Sequence, residues 1–402
     1  MRRKVYAKKA QKRSRSPKRV YLDHAATTPV SLSVQKAMAP FWATQFGNPS
    51  SISEEGVQAD RAVGGARKDI ADILRVLPSE IVFTSSGTEA NSLAINGILE
   101  NAPKGHVIAS VIEHPSVLEP IKAWEKKGGT VSWVPVSSSG VVEVGVIKKL
   151  VRPETILISV QYANNEIGTV QPIAEIAKLV RYVRKQGQTI YFHTDACQAP
   201  GLLPLGMPQL GVDLASFSAQ KYYGPKGIGF LFVRRGTELV PQLRGGGHEQ
   251  GLRAGTENVP AVVGMARALR DAEKSREKTV TTLSALRDWF IAKVATEIPG
   301  TVLNGDAELR LASNINISVP GVEGELMTLS LDAAGFAVSP GSACGTKDNQ
   351  SSYVVTALGG VADRVTNAMR ITLGVSSTKK DLARLVVEIK KVLERQTKSV
   401  IL

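Results

Sequence analysis

One repeated pattern limits the folds open to this chain. Between residues 80 and 236, short apolar runs rich in β-branched residues alternate with helical patterns, such as those over 88–102, 115–127 and 173–186. The apolar runs occupy residues 80–86, 105–114, 129–136, 155–166, 189–198, 212–221 and 227–236. Continuous apolar strands that alternate with helices are typical of a mostly parallel sheet covered on both faces. The pattern therefore predicts an α/β fold whose large domain contains a mostly parallel seven-stranded sheet.

The C-terminal part of the sequence has a different pattern. A long helical stretch over 261–298 precedes short strand-like runs, and an amphipathic helix is predicted over about 378–397. A chain of 402 residues also exceeds the usual size of a single hydrophobic core. We therefore expect a large domain over 31–278, a smaller α+β domain over 279–402, and a segment over 20–30 that packs with the small domain.

Residues 1–19 carry most of the excess positive charge. They contain ten Lys or Arg residues and no acid, and the whole chain has a net charge of +14, so the remainder carries only +4. A block of like charges is expected to be disordered. Three interpretations stay open for this basic tail: a solubilising segment, a contact with RNA or another polyanion, and an organelle-targeting segment.

The cysteine count and the hydropathy bear on the compartment. Two cysteines in 402 residues argue against a disulfide framework and for a reducing environment. No window approaches the roughly 18 apolar residues of a membrane span, and no secretory signal is present. We expect a cytoplasmic protein without a membrane anchor, with organelle targeting by the tail left open.

Polar residues follow several of the predicted strands. Ligands of open α/β sheets bind at the carboxyl ends of the strands, which meet at one edge. Gly87 and Thr88 follow the first strand and open a helix, a position suited to binding an anion such as phosphate. The other strand ends supply an imidazole, amides, a carboxylate, a hydroxyl and an amine: His114, Asn164, Asn165, Asp195, Gln198, Ser218, Gln220 and Lys221.

Each of these residues alone has an ordinary structural explanation, such as a helix cap for Thr88 or a solvated surface position for Lys221. Together they match one cofactor, pyridoxal 5′-phosphate. It has a phosphate, a flat ring whose nitrogen must stay protonated, a phenolic oxygen and an aldehyde that bonds to a lysine. A buried carboxylate such as Asp195 is costly unless it meets a cation or donors, and a protonated ring nitrogen would supply one.

Cys344 lies in an unusual setting for a structural cysteine. The stretch "SPGSACGTKDN" (339–349) is rich in Gly, Ser, Asn and Asp and offers little for packing. Structural cysteines are usually buried among apolar side chains. We therefore predict that Cys344 is a reactive thiol on a mobile, solvent-exposed loop.

Eight motifs in order resemble those of the cysteine desulfurase family, in the class V aminotransferase branch of fold-type-I pyridoxal phosphate enzymes. They are "TSSGTEANSLA", "EHPSVLEP", "NNEIGTVQPI", "HTDACQA", "SFSAQKYYGPKGIG", "GGGHEQGLRAGTENV", "GSACG" and "MRITLG". The resemblance extends from "YLDHAATTP" (21–29) to about residue 375. It implies the fold-type-I fold, pyridoxal phosphate as cofactor, L-cysteine as substrate and a homodimer. The long loop after Cys344 is similar to that of the subgroup which serves scaffold and tRNA-modifying acceptors.

The resemblance also assigns roles at the cofactor. It implies that Lys221 bonds to the cofactor, that Asp195 pairs with the ring nitrogen, and that His114 stacks on the ring and shuttles protons. Thr256 would reach the cofactor phosphate of the neighbouring subunit. The same matching implies that the phosphate is held by Gly87, Thr88, Ser218 and Gln220.

Further roles concern the substrate and the transferred sulfur. Gln198 and Asn165 match the family residues near the phenolic oxygen, with Asn164 as the alternative to Asn165, which would also contact the substrate. Arg370 matches the clamp for the substrate carboxylate, since a planar guanidinium suits a carboxylate. Cys344 matches the nucleophile that takes the substrate sulfur.

Some positions depart from the family pattern or keep two interpretations. Gln220 stands where the family usually has histidine; an amide still donates to phosphate, but a proton-transfer role there is in doubt. Cys197 is interpreted as a packing residue. His193 either orients Asp195 or fills space. The loop of His248 resembles the family's interface segment, which implies that His248 faces the site of the partner subunit. Five dispersed histidines and two distant cysteines give no zinc spacing, so no intrinsic metal is expected.

The resemblance implies a cysteine desulfurase that converts L-cysteine to L-alanine and a persulfide on Cys344. The sulfur would pass to an iron–sulfur scaffold or a tRNA-thiolation enzyme. A selenocysteine lyase or an aminotransferase of the same class is the alternative. From a different class, an inactive homologue acting as a scaffold or RNA-binding protein stays open. The retained Lys221, Asp195, Arg370 and Cys344 favour the desulfurase.

Overall fold

The computed structural model describes residues 19–340, 352–359 and 361–400. The strands are β1 (Val20–Tyr21), β2 (Ile81–Thr84), β3 (His106–Ser110), β4 (Thr130–Val134), β5 (Thr155–Ser159), β6 (Tyr191–Asp195), β7 (Leu214–Ser218), β8 (Gly229–Val233), β9 (Val302–Leu303), β10 (Asn314–Ser318), β11 (Phe336–Ala337), β12 (Ser339–Pro340) and β13 (Ala368–Thr372). The helices are α1 (Leu32–Met38), α2 (Pro40–Ala43), α3 (Glu54–Leu74), α4 (Gly87–Leu99), α5 (Pro115–Lys126), α6 (Val144–Leu150), α7 (Ile173–Lys185), α8 (Met207–Leu210), α9 (Val259–Glu297), α10 (Gly324–Ala333), α11 (Tyr353–Ala357), α12 (Ala362–Thr366) and α13 (Lys379–Val400).

Within the described ranges, the central sheet has seven strands in the order β2-β8-β7-β6-β5-β3-β4. Strands β3 to β7 pair in parallel, and β8 lies antiparallel between β7 and β2. Strand β2 therefore runs in the same direction as β7, so the residue that follows β2 reaches the same edge as those that follow β6 and β7. Each strand falls inside its predicted run, and the predicted mostly parallel α/β fold is confirmed.

The strands are shorter than their predicted runs, and this changes where the polar residues stand. Asp195 is the last residue of β6, and Lys221 ends a short turn after β7. In contrast, β3 ends at Ser110, and His114 caps the N-terminus of α5. Strand β5 ends at Ser159, six residues before Asn165. Some of the side chains that the sequence predicts at strand ends, such as His114 and Asn165, therefore lie in the loops and helix caps that follow the strands.

A second, antiparallel sheet has the strand order β12-β13-β10-β9. The N-terminal segment joins it to the central sheet. Strand β1 pairs with β11, and the N–H of Thr372 in β13 donates to the carbonyl of Leu22. Further along, the N–H of Thr28 donates to the carbonyl of Gln220, one residue before Lys221. The segment thus extends from the second sheet to the lysine turn.

Two apolar cores lie along the long helix α9. Its first part, including Val259 and Leu269, packs into the core of the central sheet with Phe192. Its last part, including Phe290, packs into the core of the second sheet with Ile371. The division into 31–278 and 279–402 stays a prediction, which these two cores support. None of the described helices combines the length and the apolarity that crossing a membrane requires.

Candidate active site

A cavity of about 290 Å³ opens at the carboxyl edge of the central sheet. It collects most of the residues that the sequence singles out, although they come from separate elements. Those lining it are Gly87, Thr88, His114, Asn165, Asp195, Gln198, Ser218, Gln220, Lys221 and Arg370. Thr256 does not line this cavity of the single chain.

The start of α4 forms one end of the cavity. Helix α4 begins at Gly87, and the Ser86 hydroxyl caps it by accepting the N–H of Glu89 at 3.1 Å. A Cβ at Gly87 would lie 2.6 Å from the Cys197 sulfur, a distance that real Cβ atoms do not show. Glycine is therefore required here, and it leaves backbone N–H groups of a helix N-terminus beside Ser218 in the cavity wall. This arrangement suits a phosphate.

Asp195 is buried, and two donors fix its carboxylate. Its Oδ1 accepts the N–H of Cys197 at 2.9 Å, and its Oδ2 accepts the side-chain amide of Asn91 at 2.7 Å. Asn91 lies one helical turn after Gly87 in α4 and also lines the cavity. The sequence interpretation missed Asn91, although it closes the "SSGTEAN" stretch. The carboxylate is thus held in one orientation at the wall.

His114 is held as a neutral imidazole. Its Nδ1 lies 3.1 Å from the N–H of Ser116, which can only donate, so the ring proton sits on Nε2. Burial lowers the pKa of His114, although the Asp195 charge opposes this. The Ser116 hydroxyl is 2.7 Å from the same Nδ1 and accepts the Asn91 amide at 2.8 Å. One hydrogen-bonded chain therefore connects His114, Ser116, Asn91 and Asp195.

The Lys221 amine faces the N-terminal segment. Its Nζ donates to the carbonyls of Ala25 and Ala26, at 2.7 and 2.8 Å. The Gln198 amide donates to the same Ala25 carbonyl at 3.2 Å. Both alanines line the cavity, so the "DHAATT" stretch forms one of its walls. Sequence reasoning placed this segment beside the small domain and did not give it a part in the site.

Arg370 brings a guanidinium from β13 of the second sheet to the cavity. It is 1% exposed; its Nη2 donates to Asp23 at 2.8 Å and its Nη1 to the Asn165 carbonyl at 3.1 Å. Its Nε has no hydrogen-bond partner among the described residues. A buried guanidinium with an unused donor beside a cavity suits a carboxylate. Asp23 is a further residue that the sequence interpretation missed.

The structure distinguishes the two neighbouring asparagines. The Asn164 Oδ1 accepts the N–H groups of Glu166 and Ile167 at 2.8 and 2.9 Å, and its amide donates to the Ile112 carbonyl at 3.0 Å. Asn164 is fully buried and shapes its own loop, whereas Asn165 lines the cavity. This geometry favours Asn165 as the residue beside a ligand.

Other predicted residues take different positions. His193 is fully buried, and both of its ring nitrogens are taken by the hydroxyls of Ser159 and Ser216, at 2.9 and 3.0 Å, rather than by Asp195. Burial lowers the pKa of His193 to about 4. These contacts favour the space-filling interpretation. Cys197 is buried against Gly87, and burial raises the pKa of its thiol.

Thr256 and His248 belong to one exposed loop. The Thr256 side chain is exposed, and the His248 Nδ1 accepts the N–H of Gly255 at 3.3 Å. This position leaves Thr256 accessible to a second subunit. Cys344 and residues 1–18 lie outside the described residues.

Three features of the cavity correspond to the parts of pyridoxal phosphate. The cavity has a helix N-terminus cleared of side-chain atoms at Gly87, an oriented carboxylate at Asp195 and an amine at Lys221. These match the phosphate, the ring nitrogen and the aldehyde in turn. The residues present therefore fit this cofactor.

Comparisons with known proteins agree with this geometry. Residues 20–385 match the family model "Aminotransferase class-V". The chain is 43% identical over 378 residues to "Cysteine desulfurase IscS" of Dictyoglomus turgidum, with 94% of this chain and 95% of that protein covered. It is 42% identical over 380 residues to "Cysteine desulfurase IscS" of Methanosarcina thermophila, with 94% and 93% covered.

Solved structures show the same similarity. A "NIFS-LIKE PROTEIN" superposes with a TM-score of 0.87 at 35% identity, covering 94% of this chain and 99% of that one. "SspA in complex with cysteine" superposes with a TM-score of 0.76 at 34% identity, covering 88% and 98%. The fold and the site therefore define a class V aminotransferase. Within that class, the chain belongs to the cysteine desulfurase family, whose cofactor is pyridoxal phosphate.

Proposed function

We propose that this protein removes sulfur from L-cysteine, giving L-alanine and a persulfide on Cys344. The observation that carries the proposal is the meeting of Lys221, Asp195 and Arg370 at one cavity. The thiolate of Cys344 attacks the substrate sulfur, the Cβ–S bond breaks, and a proton replaces sulfur at Cβ. The substrate sulfur is then held on Cys344 as the outer atom of the persulfide.

The residues of the chain would divide the work as follows. Pyridoxal phosphate, when bound, supplies an electron sink that weakens bonds at Cα and Cβ of the amino acid. Arg370 would orient the substrate carboxylate, while Asp23 and the Asn165 carbonyl fix its guanidinium through Nη2 and Nη1. Lys221 would move the Cα proton. His114 lines the cavity and would offer its Nε2–H as a donor there, since its Nδ1 is occupied by Ser116.

Gln220 would retain the phosphate contact of the histidine that it replaces. Its backbone carbonyl is used by Thr28, which donates from both its N–H and its hydroxyl, at 2.8 and 2.9 Å. Its side chain lines the cavity and has an amide to donate. Proton transfer at this position is not part of the proposal.

Incubation with L-cysteine and no acceptor, followed by intact-mass analysis, tests the reaction. We expect a gain of one sulfur atom that maps to Cys344. The Cys344→Ser variant should keep the visible absorbance of the bound cofactor and release no sulfide. The Lys221→Ala variant should lose that absorbance. Sulfide release by Cys344→Ser, or an unchanged spectrum for Lys221→Ala, would refute the assignment.

The partners follow from the same proposal. A homodimer would place the exposed Thr256 at the cofactor phosphate of the neighbouring subunit. A sulfur-acceptor protein, either an iron–sulfur scaffold or a tRNA-thiolation enzyme, would take the persulfide sulfur. The use of only two cysteines supports a cytoplasmic location.

The basic tail would add an electrostatic contact with RNA or another polyanion. Its last residue, Arg19, forms an ion pair with Asp332 in α10. Arg19 therefore lies beside the second sheet, because α10 packs there through Met327 and Leu331. Ten positive charges without an acid support a polyanion as the partner.

A further inference from the structure

Residues 244–258 form a loop between β8 and α9 whose middle is open to solvent. Gly245, Gly246, Gly247, Gly255 and Thr256 are all exposed. A loop with this much glycine has many conformations available unless contacts restrict it. Two side chains of the loop, Glu249 and Arg253, make such contacts.

Glu249 is the deeper of the two anchors. It is 6% exposed, and its carboxylate accepts hydrogen bonds from Nη2 and Nη1 of Arg67, at 2.7 and 2.8 Å. Its Oε2 also accepts the N–H of Phe83 in β2 at 2.8 Å. The Arg67 guanidinium in turn lies 4.4 Å from the centre of the Phe83 ring. The loop is thus bonded to the strand that leads into Gly87.

The backbone at this anchor is strained. Glu249 and Gln250 have φ values of +49° and +58°, in the left-handed region that residues with a side chain seldom adopt. Strain of this kind persists only where surrounding contacts enforce it, and it concentrates at functional sites. The bonds from Arg67 and Phe83 supply that enforcement.

Arg253 forms the second anchor. Its Nε donates to Glu89 in the first turn of α4 at 2.8 Å. The other Glu89 oxygen accepts the N–H of Ser85 at 2.7 Å. Burial raises the pKa of Glu89, but the bonds from Arg253 and Ser85 outweigh it and hold the pKa below its usual value. The two anchors therefore lie on either side of residues 85–88, the phosphate-binding turn.

We propose that Glu249 and Arg253 are positioning residues that hold the 244–258 loop in a fixed relation to the phosphate-binding turn of their own subunit, so that Thr256 is presented to the cofactor phosphate of the partner subunit. The inference rests on the proposed homodimer and cofactor. It gives the two ion pairs a role across the interface, because they act on the partner's cofactor.

Hybrid dimers with two different affinity tags test this role. One subunit carries Lys221→Ala, so that visible absorbance of the lysine-bound cofactor reports only the intact subunit. Hybrid one places Glu249→Gln in the intact subunit, and hybrid two places it in the Lys221→Ala subunit. The apparent dissociation constant for added pyridoxal phosphate is titrated by this absorbance.

Hybrid two should bind the cofactor roughly tenfold more weakly, as expected for one lost hydrogen bond to a charged group. Hybrid one should match the unmodified hybrid. The Thr256→Ala homodimer should show the loss seen in hybrid two, and adding Glu249→Gln to it should weaken binding no further. Weak binding in hybrid one, in both hybrids or in neither would overturn the proposal.

Two further variants keep the test decisive. Arg253→Gln alters a half-buried side chain and so endangers folding less than Glu249→Gln; it should reproduce the difference between the two hybrids. Lys68→Met, next to Arg67 but in an exposed ion pair with Asp72, should change nothing. A wild-type dimer without the visible absorbance of bound pyridoxal phosphate would refute the proposed function. If the wild-type dimer has this absorbance, only the comparison of the two hybrids can refute the present inference.

Discussion

Glu113 allows the electrostatics of the site to be tested through stability. It is fully buried beside His114; its Oε1 accepts the Ser110 hydroxyl at 2.6 Å and the Gln161 N–H at 2.9 Å. Its Oε2 has no partner among the described residues. Burial raises the pKa of Glu113 from 4.5 to about 8, and the Asp195 charge adds to this, against the two hydrogen bonds. The acid is therefore protonated in the folded protein at neutral pH.

Because the pKa of Glu113 is higher in the folded state than in the unfolded state, the free energy of unfolding should fall as the pH rises. The stabilisation is fully present below pH 4.5, the unfolded value, and is lost as the pH rises through about 8. One pKa unit corresponds to about 1.4 kcal/mol, so the full loss is about 5 kcal/mol. About 3 kcal/mol of it should fall between pH 5 and pH 8.

The Glu113→Gln variant removes this dependence while keeping an oxygen for Ser110 and Gln161. Urea unfolding of both proteins at several pH values, at one protein concentration because a dimer is expected, gives the difference in the free energy of unfolding. We expect the variant to gain about 3 kcal/mol relative to the wild type between pH 5 and pH 8. A difference that stays constant over this range would show that Glu113 is ionised in the folded protein and would refute the reasoning.

Four other predictions concern single features. Burial lowers the pKa of His193 from 6.5 to about 4, so stability present above pH 6.5 should be lost as the pH falls toward 4, by about 3 kcal/mol in all; His193→Gln should flatten that loss in acid unfolding curves. Gly87→Ala should weaken cofactor binding at least about tenfold in an absorbance titration, because its Cβ would meet the Cys197 sulfur, whereas Gly65→Ala in α3 has open space and should stabilise by about 0.5–1 kcal/mol. Arg370→Lys should raise the KM for L-cysteine about tenfold or more, since the forked donor is lost, while Arg267→Lys in an exposed pair leaves it unchanged; equal KM values would contradict the clamp. Deleting residues 1–18 should leave L-cysteine turnover intact and abolish salt-sensitive polyanion binding; collapsed turnover would mean that the tail belongs to the fold.

The sequence predicted the residues whose positions depend on local pattern. Asp195 and Ser218 end buried strands, so the periodicity that predicts β6 and β7 also predicts the edge at which they meet. Asn91, Ser116 and Asp23 could not be found in this way. They act by bonding to Asp195, His114 and Arg370, and such pairs form only when separate elements pack.

The contribution of the second sheet to the site also depends on tertiary contacts. Arg370 belongs to β13, yet it reaches the same cavity as Lys221, which follows β7 of the central sheet. The N-terminal segment accounts for this, because Asp23 binds Arg370 while the carbonyls of Ala25 and Ala26 bind Lys221. Only one residue separates the two contacts, so the short backbone between them limits the distance between the guanidinium and the amine. The N-terminal segment therefore sets the distance between the two groups that a substrate must contact at once. Lengthening this segment by one residue should impair catalysis even with every side chain of the cavity unchanged.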